Sequence, residues 1–197
     1  MSARVHRSAS AGRQAPAAGF NLAELLTVLA IAAIVLAIGL PDLRSMLRQH
    51  QLGAIVNDLV GAIELTRAQA IARGGRVLLA PAGPGADDWS RGCVVFVDAD
   101  GDLAPSEGDD IIARQGPVPR GVTISSAFTS QKAPYYIAYN SAGRSCSASS
   151  SMAARWGTLS VFQGDRTRRI KINMLGRARV CDPEKDGAAC SGAGEET

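Results

Sequence analysis

Histidine is scarce in this 197-residue chain, which holds only His6 and His50. Neither lies within forty residues of a cysteine, so no Ser/His/Asp or Cys/His arrangement can be assembled in the C-terminal half. No Cys-x-x-Cys pair occurs, which removes the common zinc sites. No glycine loop of the phosphate-binding type is present either. An enzyme and a metal or cofactor site are therefore not expected. Aromatic residues make up only 5%. Acids are missing from the first 19 residues, where Arg4, Arg7 and Arg13 stand alone. Those three account for the whole formal charge of +3, since the other 178 residues carry 18 bases and 18 acids. The net charge thus says nothing about an acidic partner.

The apolar residues are concentrated in one place. Residues 22–40, LAELLTVLAIAAIVLAIGL, contain a single charge, Glu24. About 20 apolar residues in a helix cross a bilayer, and the arginines before the run orient the N-terminus to the cytoplasm. A cleaved secretory signal usually has a shorter apolar core of about 7–15 residues. An ordinary anchor leaves Glu24 unexplained, because a carboxylate at that depth needs a partner. Beyond Pro41 the pattern stays helical, with Leu52, Ile55, Val56, Leu59 and Ile63 at steps of three and four. Arg73-Gly74-Gly75 reads as a stop. A helix over 20–73 would be roughly 80 Å long.

After Gly75 the texture becomes β-like. Candidate strands are 76–80, 93–97, 111–114, 122–125, 135–139, 158–162, 168–173 and 177–181, separated by Gly/Pro/Asp/Ser clusters at 81–88, 98–110 and 141–151. One helix followed by consecutive strands predicts an antiparallel α+β domain. All four cysteines follow residue 90. Cys181 and Cys190 bracket a short loop whose closure would pin the C-terminal tail. Cys93 and Cys146 remain as candidates for a second pair, with the connectivity open because four cysteines allow three pairings. The stretch Asp98-Ala99-Asp100-Gly101-Asp102-Leu103 resembles half of a calcium loop, but Leu103 stands where glycine is needed and Asp109 where glutamate is needed. A solvated turn is the simpler reading.

Charge is segregated along the chain. Residues 87–114 carry eight acids and two bases, while residues 144–179 carry eight bases and the one acid Asp165. In 168–173 and 177–181, polar and apolar residues alternate. A three-residue turn at Met174-Leu175-Gly176 would put Lys171 opposite Arg179, with Arg169 and Arg177 on the same face; a two-residue turn would not. Like charges crowded on a sheet repel, so an anionic partner is indicated, and arginine forks fit phosphate oxygens.

Two sets of residues resemble a known family. Gly19-Phe20-Asn21-Leu22-Ala23-Glu24, after a basic leader, resembles the class III signal of type IV prepilins and type II secretion pseudopilins. That resemblance implies cleavage by a prepilin peptidase between Gly19 and Phe20, methylation of Phe20, and a Glu24 carboxylate paired with the N-terminus of a neighbouring subunit. Trp89-Ser90-Arg91-Gly92-Cys93-Val94-Val95-Phe96 resembles the central stretch of GspH/FimT domains. Asn173-Met174-Leu175-Gly176-Arg177-Ala178-Arg179 resembles the Gly-Arg-x-Arg segment of FimT-type minor pilins. The resemblance implies a pilin-like fold, with a long N-terminal helix packed on an antiparallel β domain. Its parts would be a cleaved leader at 1–19, a membrane or pilus-core helix at 20–41, an amphipathic stem at 42–75, the β domain at 76–181 and a tail at 182–197.

The same resemblance implies partnership with other pilins or pseudopilins through that helix, insertion in the inner membrane with the β domain in the periplasm, and DNA capture for natural transformation. Arg177 and Arg179 would be the main DNA contacts and Gly176 would supply the turn. Arg166, Arg168, Arg169 and Lys171 join them on charge alone. Tyr135, Tyr136, Tyr139 and Trp156 are the few aromatic residues near this segment, which favours duplex contact through phosphates over base stacking. The alternatives are a structural minor pilin that primes or caps the filament and a minor pseudopilin of a type II secretion system.

Overall fold

The computed structural model describes residues 21–83, 85–129 and 133–191, with the side chains of 38–42, 44 and 45 excepted. The leader, Gly19 and Phe20 lie outside the described residues. One α-helix, α1, runs Leu22–Arg73, and the chain divides into units at 1–45 and 46–197.

In the first unit the helix is clothed in exposed apolar side chains, among them Leu22, Leu25, Leu29, Ile31 and Ile34. Among the described residues, no helix is long and apolar enough to cross a membrane. Positions 38–42, the end of the predicted span and Pro41, lie outside the described side chains.

In the second unit α1 presents Leu52, Ile55, Val56, Leu59, Ala62, Ile63 and Ala70 to the core, the stripe that the three-and-four spacing requires. It ends in a left-handed glycine. Gly74 has φ +64°, Gly74 N–H donates to Ile71 O, and Gly75 N–H donates to Ala70 O, which together satisfy the last carbonyls. Arg73 pairs with Asp110 of the third strand.

The strands are β1 (Val77–Pro81), β2 (Cys93–Val97), β3 (Asp110–Gln115), β4 (Val122–Phe128), β5 (Ile137–Tyr139), β6 (Ser145–Cys146), β7 (Gly157–Gln163), β8 (Arg166–Ile172) and β9 (Ala178–Cys181). They form two sheets, ordered β3-β2-β1-β5-β6 and β4-β7-β8-β9, and every pairing is antiparallel. One core joins α1 to Val77, Leu79, Val95 and Ile137 of the first sheet and to Leu159, Val161, Ile170 and Ile172 of the second. The other face of the first sheet carries Leu78, Val94, Phe96 and Ala138, buried together with Tyr136 and Ala86 and packed against the loop residues Ala82, Leu103, Ala104 and Ala148. Burial on both faces explains why β1 and β2 read as unbroken apolar runs.

Most differences from the predicted strands lie at the ends. β6 falls inside a predicted loop, because two residues paired to Ala138 and Tyr139 are too few to show alternation. β8 begins at Arg166, two residues early, because Gln163 pairs with Arg166 across a two-residue turn. The second disulfide is corrected. Cys93 and Cys146 are free and buried, on β2 and β6 with β1 and β5 between them. Three strand spacings are roughly 14 Å, beyond the reach of a disulfide. Cys181 and Cys190 are bonded, with Cα atoms 5.7 Å apart.

Candidate nucleic-acid interface

The β8–β9 hairpin positions the basic residues. Asn173 begins the turn as an Asx cap: its Oδ1 accepts from Leu175 N–H and Arg177 N–H, both at 3.0 Å. Gly176 N–H donates to Asn173 O, and Asn173 N–H donates to Arg177 O. Asparagine and glycine suit these places because one carries a local acceptor and the other tolerates positive φ. Gly176 has φ +79° and is buried. A Cβ there would lie 2.6 Å from Tyr139 Cε1 and 2.7 Å from Gly143 O, and the Tyr139 hydroxyl donates to Gly176 O at 3.0 Å. The three-residue turn sets the register Lys171↔Arg179 and Arg169↔Cys181.

The predicted basic residues divide into two groups. Arg177 and Arg179 are exposed, and Lys171 is half-buried between the neighbouring strands. They line a groove of ≈ 580 Å³ together with Trp156, Thr158 and Asn173. Lys171 Nζ reaches Ala189 O at 3.3 Å.

The other three bases make contacts within the domain. Arg169 is 2% exposed and donates to Cys190 O at 2.6 Å. Arg168, on the opposite face from Lys171, pairs with Asp182 at 2.9 Å. Arg166 donates to Gln49 Oε1 at 2.9 Å. Counting charge along the strand could not separate the two groups, because the Asp182 carboxylate that pairs with Arg168 and the Cys190 carbonyl that accepts from Arg169 come from the C-terminal segment.

That segment folds back over β8. Asp182 caps a short helix, α2 (Pro183–Asp186), through Oδ1 to Glu184 N–H at 3.1 Å, and a 3₁₀ turn, Gly187–Cys190, returns the chain to the disulfide. The aromatic residues divide as well. Tyr136 and Tyr139 are buried, with Arg155 stacked on the Tyr136 ring 4.0 Å from its centroid. Trp156 is 44% exposed in the groove.

The acidic loop is ordered by its own backbone. Asp98 accepts from Gly101 N–H at 2.7 Å, Asp102 from Ala104 N–H at 2.8 Å, and Asp109 from Ala99 and Ser106 N–H at 2.9 and 2.8 Å. Burial raises the Asp98 pKa, and the nearby Asp109 and Asp100 add to that against its backbone hydrogen bonds. Leu103 takes φ +68° at the place of the glycine in a calcium loop.

A helix stem under two antiparallel sheets, with an Asx-capped basic hairpin at one edge, defines a pilin-like α+β subunit. Residues 56–176 match the family described as Type II transport protein GspH. The chain belongs to this GspH family of minor pilins and pseudopilins, which are structural subunits anchored by an N-terminal helix. Among solved structures it is similar to the type IV minor pilin FimU of Pseudomonas aeruginosa, at 17% identity and TM-score 0.51, covering 70% of this chain and 92% of that one. It is also similar to the minor pseudopilin EpsH of the Vibrio cholerae type 2 secretion system, at 16% identity and TM-score 0.48, covering 68% and 99%. No curated protein matches the chain.

Proposed function

We propose that this subunit is a minor pilin that captures DNA through the β8–β9 hairpin, for uptake in natural transformation. The observation that carries the reading is the Lys171↔Arg179 register, which leaves Arg177 and Arg179 exposed beside Lys171 over an open groove. Three cations on one sheet face with no carboxylate among the groove residues suit a phosphate backbone, contacted without regard to sequence. Prepilin peptidase cuts between Gly19 and Phe20, Phe20 is methylated, and Glu24 pairs with a neighbouring subunit's N-terminus inside the filament. The β domain then lies on the periplasmic side of the inner membrane until assembly.

The test is a titration of the full chain in detergent micelles with unrelated DNA molecules, alongside Arg177→Gln/Arg179→Gln. On duplex DNA, three phosphate contacts give a slope of log K on log salt of about −2.7, so affinity falls roughly 40-fold from 50 to 200 mM salt. The double variant keeps one contact and a slope of about −0.9. Equal binding by both proteins refutes the assignment. The family's type II transport description favours a second reading, a pseudopilin whose arginines face another subunit. That reading predicts no DNA binding by the wild type, and normal transformation in a deletion strain that has lost secretion or filaments.

A further inference from the structure

The register of the outer face extends past the cations. β7, β8 and β9 align Thr158, Lys171 and Arg179 in one row. Continued by two residues, one past the last paired row Gly157–Ile172–Ala178, the same register places Trp156, Asn173 and Arg177 in the next row on that face. All six line the one groove. Trp156 stands at its β7 side, anchored by its carbonyl, which accepts from Thr129 N–H at 3.0 Å, while the residue as a whole is 44% exposed. Two strand spacings, roughly 10 Å, separate it from Arg177.

We propose that Trp156 is a stacking platform for an unpaired base, so that the groove prefers single-stranded or frayed DNA to closed duplex. This rests on the DNA reading above and names the form of DNA it takes. In a duplex the faces of the bases are covered by their neighbours, and an indole at the rim meets only sugar and phosphate. In a single strand each base has a free face, and an aromatic platform beside a cationic track is the combination that holds such strands without sequence preference. The scarcity of aromatic residues near the hairpin pointed to duplex; one exposed indole in the right place reverses that preference.

The experiment uses the full chain in micelles with a 20-nucleotide oligothymidine and a 20-base-pair blunt duplex. The proteins are wild type, Trp156→Leu, Trp156→Phe and Arg177→Gln/Arg179→Gln. Trp156→Leu should bind the single strand about 5- to 140-fold more weakly and the duplex within twofold of wild type. Trp156→Phe should keep most of the single-strand affinity, which a general loss of folding would not allow. Wild-type fluorescence should be quenched by oligothymidine, with Trp89, 1% exposed, as the constant background. Trp156→Leu binding oligothymidine like wild type, while the arginine variant loses both ligands, overturns the stacking proposal and leaves the DNA reading standing. An arginine variant that binds both ligands normally, or a wild type that binds neither, overturns both.

Discussion

Replacing Gly176 with alanine should damage this domain far more than the same change at Gly164, although both glycines sit in β-turns with φ near +60 to +80°. Forcing an L-residue into that region costs about 1–2 kcal/mol at either site. At Gly164 the new Cβ meets nothing within 4 Å, so that term stands alone. At Gly176 the Cβ falls 2.6 Å from the Tyr139 ring, 2.7 Å from Gly143 O and 3.0 Å from Ser145 N. Two of the three are backbone atoms, which cannot swing aside, and the ring is held by its hydroxyl on Gly176 O. Overpacking of this kind adds about 1–3 kcal/mol. At about 2–4 °C per kcal/mol for a domain this size, Gly164→Ala should lower the melting temperature by about 2–8 °C and Gly176→Ala by about 4–20 °C. The assay is thermal unfolding of each full-length variant in the same detergent, followed by tryptophan fluorescence. Equal shifts would refute the claim that close approach, and not only backbone conformation, demands glycine at the turn that carries Arg177.

Other perturbations separate the structural bases from the exposed ones. Arg169→Met should cost about 1.5–3 kcal/mol in denaturant unfolding, the range for a hydrogen bond to a charged group, while DNA affinity changes less than with Arg179→Gln. Cys181→Ser/Cys190→Ser should cost roughly 2–3 kcal/mol from loop entropy alone and expose the segment between them to limited proteolysis. Burial pushes the Cys93 thiol up to about 12, and a raised thiol pKa means almost no thiolate at neutral pH. Cys93 should therefore resist alkylation in the native protein from pH 7 to 9 and react on denaturation; rapid native labelling would contradict its burial.

Much of this protein follows from local pattern. The helix stem was legible because its apolar stripe recurs at helical spacing and ends at Arg73-Gly74-Gly75, a stop that works by geometry within six residues. An antiparallel β domain was legible as short runs between turn clusters, but its division into two sheets was not; the hairpin register followed once the turn was three residues long, and Asn173 and Gly176 fix that turn with bonds inside five residues. What the tertiary structure decided is which of these groups are used up. Arg168 and Arg169 look like Arg177 and Arg179 in one dimension, but Asp182 and the Cys190 carbonyl return from a segment that folds back over β8. Cys93 and Cys146 look like partners until two strands are laid between them. Trp156 becomes a groove residue only once β7 is paired beside β8. Periodicity and turn chemistry are written in neighbouring residues; satisfaction of a charge, pairing of a thiol and exposure of an indole depend on residues far along the chain.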